Sequence, residues 1–160
     1  MRISIFAVGR LKKGPEYELN KRYFQRFVKV AASLGFNFSG IREIAESRAS
    51  FADRRRREES AVMLSDLSRD IRLIVLDECG KSVTSCVFAE KIAGWRDEGQ
   101  HELVFALGGP DGHSDRARER ADFVLSFGLM TWPHQLARIM LGEQLYRVMT
   151  ILSSHPYHRE

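Results

Sequence analysis

The residues Gly108-Gly109-Pro110-Asp111-Gly112 form the most distinctive chemistry-bearing stretch of this chain. They follow the apolar run Leu103–Leu107, which reads as a buried strand. Glycines at the C-terminal end of a strand let a ligand approach the backbone closely. The spacing is not the G-x-G-x-x-G of dinucleotide loops, because the first two glycines are adjacent, and no Gly-Lys-Ser/Thr of a P-loop follows. A tight turn accounts for the same residues, so a ligand loop and a plain turn both stay open. Leu76-Asp77-Glu78-Cys79-Gly80-Lys81 ends another apolar run in the same way. Its carboxylates suit ribose hydroxyls or a cationic ligand, and a turn at Gly80 explains them equally well.

The remaining reactive side chains are scattered. Histidines stand at 101, 113, 134, 155 and 158, and only His155-Pro156-Tyr157-His158 forms a cluster. Two imidazoles three apart can share a metal, but no cysteine or carboxylate set stands beside them, so no metal is expected. An aromatic and an imidazole followed by Arg159 better suit RNA, stacking on an unpaired base and touching phosphate. Cys79 lies near Lys81 without the paired base a thiol enzyme needs, so it and Cys86 read as structural. Arg54-Arg55-Arg56-Arg57 is the strongest local positive charge. Phosphate contact is one reading, and a solvated helix face partly neutralised by Glu58 and Glu59 is the other.

Strands and helices must alternate to position these groups. Met1–Val8, Leu73–Leu76, Leu103–Leu107 and Phe123–Phe127 read as strands, with Phe36–Ile44 a weaker one. Helices are expected over Glu16–Ala31, Asp53–Leu67, Val83–Arg96, Arg116–Arg120 and Pro133–Leu152. The pattern predicts an α/β fold with a mainly parallel sheet flanked by helices, as one domain over residues 1–160. The last helix is apolar over more than one face: Leu141, Leu145, Val148 and Leu152 make one stripe, while Leu136, Ile139 and Met140 lie partly outside it. Such a helix is either deeply buried or shared with another subunit.

The 160 residues suffice for a real core, and 44% hydrophobic with 29% charged residues excludes a disordered chain. No apolar run approaches the roughly 20 residues needed to cross a bilayer. The opening segment reads as a strand rather than a signal peptide, and two cysteines without a paired framework point to the cytoplasm. A net charge of +4 permits an RNA partner without demanding one.

Several segments together resemble one family. Leu76-Asp77 with Gly80-Lys81, the loop Gly108–Gly112, and Leu125-Ser126-Phe127 through Thr131-Trp132-Pro133-His134 stand in its order and spacing. So do Glu143-Gln144-Leu145-Tyr146-Arg147, the tail His155-Pro156-Tyr157-His158-Arg159-Glu160, and the opening Ala7-Val8-Gly9. The whole chain resembles the RlmH (YbeA) family, bacterial 23S rRNA pseudouridine N3-methyltransferases of the SPOUT class. The resemblance implies a C-terminal trefoil knot, an exception to the rule of unknotted chains. It implies S-adenosylmethionine as cofactor, contacted by Leu76, Gly108, Phe127, Gly128, Leu129, Met130, Thr131 and Trp132. It also implies a homodimer sharing the last helix, and a substrate within 23S rRNA, modified late on the assembled ribosome. Gly142 departs from expectation, since glycine inside a helix costs about 1 kcal/mol, and it suits a close helix approach.

Methylation at N3 requires the N3 proton to leave, so a base, or a cation that stabilises the developing anion, is needed. Tyr157, His158 and Arg159 are the catalytic candidates, with His158 the leading base; His134 and Arg138 are further candidates. Two other classes fit the same residues. One is a non-enzymatic ribosome assembly factor with this fold, and the other is a nucleotide-binding enzyme using Gly108–Gly112 on phosphate.

Overall fold

A computed structural model describes residues 1–68 and 70–158. Strands and helices alternate: β1 (Arg2–Val8), α1 (Pro15–Ala31), β2 (Asn37–Ile44), α2 (Ala52–Ser65), β3 (Arg72–Lys81), α3 (Ser85–Asp97), β4 (Glu102–Leu107), α4 (Asp115–Arg120), β5 (Phe123–Leu125) and α5 (His134–Leu152). The strands form one sheet in the order β2-β1-β4-β3-β5, and every pairing is parallel. The α/β expectation and its parallel sheet hold.

Helices cover both faces, which is why the central strands read as unbroken apolar runs. Leu103, Phe105 and Leu107 of β4 join Ile3, Ile5 and Ala7 of β1 in a core closed by α1, α3 and α5. The alternate residues, Val104 and Ala106 with Phe6 and Val8, pack with Met63 of α2 and Ala117 of α4. Two helices begin with a side-chain cap: Thr84 accepts from the Val87 N–H at 3.2 Å, and Ser114 from the Ala117 N–H at 3.3 Å.

Two strands differ from expectation. β3 continues past Leu76 to Lys81, and β5 stops at Leu125 rather than Phe127. Both changes have one cause. The register of β3 on β5 breaks after Leu76 and resumes at Lys81, which is paired with Leu125 and accepts from the Ser126 N–H at 3.0 Å. The chain then turns, with Ser126 Oγ accepting from the Gly128 N–H at 3.1 Å and Gly128 at φ +124°. A Cβ at Gly80 would sit 2.7 Å from the Val124 carbonyl oxygen, so glycine is required where these segments cross.

The surplus apolar surface of α5 is largely used within the chain. Ile139, Leu141, Leu145, Tyr146, Val148 and Met149 are buried against α1 and α3, and Leu136 stays 41% exposed. Gly142 does permit a close helix approach, and its partner is Phe24 of α1: a Cβ there would lie 2.9 Å from the ring. Among the described residues no helix is long and apolar enough to cross a membrane.

Gly142→Ala sets a gain of about 1 kcal/mol in helix propensity against an overpacking cost of about 1–3 kcal/mol. Because Phe24 is itself buried, overpacking wins, and the variant unfolds at lower urea than wild type. Adding Phe24→Leu reverses the sign of the Gly142→Ala effect; additive losses in the double variant would refute the contact as the cause.

Candidate active site

The C-terminal ends of β3 and β4 and the segment after β5 enclose a cleft of about 740 Å³. That lies within the roughly 300–1,000 Å³ typical of small-molecule sites, at the edge where open α/β sheets bind ligands. Its walls are Leu76, Leu107 and Leu125 at the strand ends, the loop Gly108–Gly112, and Phe127, Met130, Trp132 and His134.

The glycines of the 108–112 loop serve its own closure. A Cβ at Gly108 would lie 2.9 Å from the Gly112 backbone, and one at Gly109 would lie 3.0 Å from Val8. Gly109 and Gly112 form an isolated bridge, and Gly112 has φ +79°. The loop is thus a tight turn that also lines the cleft, so the two readings of its spacing are one structure.

Ion pairs pin the cleft walls to the α2 and α4 layer. Arg55 grips Asp111 through two hydrogen bonds, Nε to Oδ2 at 2.6 Å and Nη2 to Oδ1 at 3.0 Å, and Nη1 donates to the Ala49 carbonyl at 2.9 Å. This contact holds the Asp111 carboxyl below the usual carboxylate range and raises the Arg55 guanidinium. Across the cleft, Asp77 accepts from Arg118 at 2.9 Å and from the Cys79 N–H at 3.0 Å. Burial pushes the Asp77 carboxyl up, but these donors together outweigh it and leave it lowered. Glu78 accepts from Thr131 Oγ1 at 3.2 Å, tying the end of β3 to the wall after β5. Beneath the loop, burial raises the Glu59 carboxyl, whose Oε1 accepts from the Ser47 N–H.

The cleft gathers Leu76, Gly108, Phe127, Gly128, Met130, Thr131 and Trp132, seven of the eight residues expected at a cofactor. Leu129 points outward at 98% exposure and does not line it. His134 is at the cleft, whereas Arg138 is 1% exposed, paired with Glu43 and donating to the Gly9 carbonyl at 3.0 Å. An Arg138 so enclosed ties α5 to the ends of β1 and β2 and presents no face to a substrate.

The tail lies elsewhere in the same chain. Tyr157 packs on Tyr146 with ring centroids 4.7 Å apart, and its hydroxyl donates to Glu143 at 3.2 Å. His158 Nε2 is 3.5 Å from Cys86 Sγ, and its Nδ1 is buried without a partner. None of these residues lines the 740 Å³ cleft. Arg159 lies outside the described residues. Both cysteines are free, and among the described residues no group of three or more metal-ligating side chains occurs.

The arginine run divides by helical position. Arg55 turns in to Asp111, Arg56 reaches the cleft, and Arg54 and Arg57 pair with Glu58 and Asp53 on the surface. Sequence reasoning missed His113, whose ring is buried behind the glycine loop with Nε2 unpartnered. A histidine two residues past a loop aspartate carries no pattern that announces burial.

Arg55→Ala frees Asp111 and loosens the loop. Hydrogen exchange of the amides across the 108–114 segment accelerates at least ten-fold, while that of β1 and β4 is unchanged; equal rates in variant and wild type would remove the clamp. His113 gives a pH dependence. Burial pushes its ring from 6.5 down to about 4, so the folded state binds fewer protons than the unfolded one. Its contribution is complete above about pH 6.5 and is lost as pH falls toward about 4, reaching roughly 3 kcal/mol at the low end. His113→Asn flattens the urea-midpoint profile across that window. Parallel wild-type and variant profiles would show that the acid loss arises elsewhere.

A family model described as "Predicted SPOUT methyltransferase" matches residues 1–158. Three relatives carry the name "Ribosomal RNA large subunit methyltransferase H". Those of Bartonella bacilliformis, Mesorhizobium japonicum and Rhizobium etli are 60%, 55% and 52% identical over 159 residues, each covering 99% of this chain and 99% of the relative. The match runs through the glycine loop, the segment after β5 and the tail alike, and the chain belongs to the ribosomal RNA large subunit methyltransferase H family of SPOUT methyltransferases.

Proposed function

We propose that this protein methylates N3 of a pseudouridine in 23S rRNA, with S-adenosylmethionine as donor, acting late on the assembled ribosome. The observation that carries this reading is the cleft: its walls are the three loops that the family resemblance assigns to the cofactor, in a chain matched end to end by rRNA methyltransferases.

The residues present fit S-adenosylmethionine. Apolar Leu76, Leu107, Phe127 and Trp132 offer faces for an adenine ring, and the glycine loop offers backbone groups free of side chains. Bound there, S-adenosylmethionine supplies a methyl carbon on a positively charged sulfur, already a good leaving group. The protein's contribution is then alignment and removal of one proton. His158 would take the N3 proton released when the methyl group is transferred. Tyr157 is a poor base: burial, with Glu143 beside it, pushes its hydroxyl up to about 12, so it stays protonated and available for stacking and hydrogen bonding. His134, at the mouth of the cleft, is placed to touch the target nucleotide.

Two structural elements of the proposal follow. Within one chain the tail sits on α3 and α5, apart from the cleft, so bringing both to one nucleotide calls for the homodimer. A second groove of about 570 Å³ between α1, α3 and α5, whose lining includes the partly exposed Leu19, Met140 and Glu143, supplies surface for that contact. The trefoil knot is supported by the crossing at Gly80, where β5 passes the end of β3 before entering the cleft wall.

Incubation of the protein with labelled S-adenosylmethionine and ribosomes lacking the modification should place label on one 23S pseudouridine at N3. His158→Ala should lower single-turnover rate at least ten-fold. Ribosome binding without any transfer would favour an assembly factor, and transfer to naked rRNA but not to ribosomes would contradict late action.

A further inference from the structure

The loops leaving β1 and β2 carry cations that the site described above does not use. We infer that Arg10, Lys12, Lys13 and Arg48, with Phe51, form the rim on which the substrate RNA lies, its phosphates on the cations and an unpaired base against Phe51. This rests on the reading of the chain as an rRNA-modifying enzyme.

The rim adjoins the cleft. The Gly9 N–H donates to the Ile44 carbonyl at 2.9 Å, and the Leu11 N–H donates to Glu43 at 3.1 Å, so the loops after β1 and β2 lie side by side. A Cβ on Gly9 would be 3.3 Å from His134 Nε2 and 3.1 Å from Glu46, and His134 lines the cleft. From the cleft, His134 therefore leads past the buried Gly9 to the exposed Arg10, Lys12 and Lys13. On the α2 side, Arg56 lines the cleft, and Phe51, 76% exposed, precedes the first turn of the same helix.

The charge on this rim is free to act. Arg10, Lys12, Lys13 and Arg48 are exposed, and among the described residues none of them forms an ion pair. Of the nearby carboxylates, Glu43 is held by Arg138, while Glu16 and Glu18 stand exposed in the first turn of α1, where they favour the helix start. Glu46 lies beside His134 at Gly9. By contrast, Arg54 and Arg57, in the most basic stretch of the sequence, are held by Glu58 and Asp53 on their own helix. The clustered arginines are thus the weaker anion surface, and the dispersed loop cations the stronger.

The opposite edge is largely self-paired. Arg42 holds Asp66, Arg72 and Arg120 hold Asp122, and Arg2 holds Glu102. The two edges are separated by a strand length, about 20 Å at roughly 3.3 Å per residue, well beyond the Debye length of about 8 Å at physiological salt. A polyanion approaching the sheet therefore meets exposed, unpaired cations at the edge that holds the cleft. An exposed phenylalanine among cations distinguishes a single-stranded RNA partner from a purely anionic one, because every base offers a face to stack on.

The test uses the full-length protein, S-adenosylmethionine, and ribosomes lacking the modification. Arg10→Ala/Lys12→Ala/Lys13→Ala should raise the KM for ribosomes at least ten-fold near 0.15 M salt, with affinity for S-adenosylmethionine by calorimetry within two-fold of wild type. Sedimentation binding across a salt series should show the log–log slope fall by about two to three units, roughly one per lost phosphate contact. Phe51→Ala should weaken ribosome binding about ten-fold with an unchanged slope, and Phe51→Trp should restore it. Arg54→Ala/Arg57→Ala and Arg2→Ala, the last at the opposite edge, should change neither KM nor slope appreciably. An unchanged slope in the triple variant, or a larger effect from Arg54→Ala/Arg57→Ala, overturns the rim. The sedimentation slope reads the rim whether or not methyl transfer occurs, so a failure of the proposed reaction is seen separately in the wild-type label.

Discussion

The backbone of β5 crosses the end of β3 at Gly80, at a separation that leaves no room for a Cβ. The cleft depends on that crossing. The β3–β4 pairing ends at Leu76 and Leu107, and the cleft opens beyond these strand ends. By ending against Lys81, β5 delivers Ser126 and Gly128 to the turn that brings Phe127, Met130 and Trp132 across from the glycine loop. An alanine at position 80 would push the two segments apart where their spacing sets the width of the site.

Once the walls are in place, charge holds them. Arg55 from α2 and Arg118 from α4 reach the cleft from the same helical layer and take Asp111 and Asp77 respectively. Each arginine also binds a backbone carbonyl, Ala49 for Arg55 and His113 for Arg118, so each fixes a loop and not only a carboxylate. Acidic residues that might have met a cationic ligand are in this way partly spent on architecture. What faces the cleft is chiefly apolar side chain and backbone, an environment suited to a flat ring and to orientation rather than to charge neutralisation.

Much of this arrangement was legible in the sequence, and the exceptions have physical reasons. The runs Leu73–Leu76 and Leu103–Leu107 announced central strands because both faces of each are buried. The glycine loop was visible because three glycines in five residues leave few conformations other than a tight turn. The extension past Leu76 was hidden, since Asp77–Lys81 has the composition of a loop and rejoins the sheet only at Lys81, opposite Leu125 more than forty residues away. The same distance in sequence concealed the Arg55–Asp111 clamp, which made one arginine of a basic run structural. Gly142 could be recognised as an anomaly, but its reason is a phenylalanine ring on another helix. Leu129, grouped with the cofactor residues by its place in the motif, is instead 98% exposed, directly after the turn at Gly128 with φ +124°.

The strand order has a consequence for how the chain acquires its shape. β1 lies between β2 and β4, and Arg2 is in register with Glu102. Pairing between neighbours in sequence supplies only part of the sheet, and the N-terminal strand waits for partners made a hundred residues later. Topologies dominated by such distant pairings fold slowly, because loop closure precedes the reward of contact. During synthesis, the first half of the chain can form α1 and the β1–β2 pair, but one long edge of β1 stays open until β4 has been made. The exposed apolar edge is then a hazard of the nascent chain rather than of the finished protein.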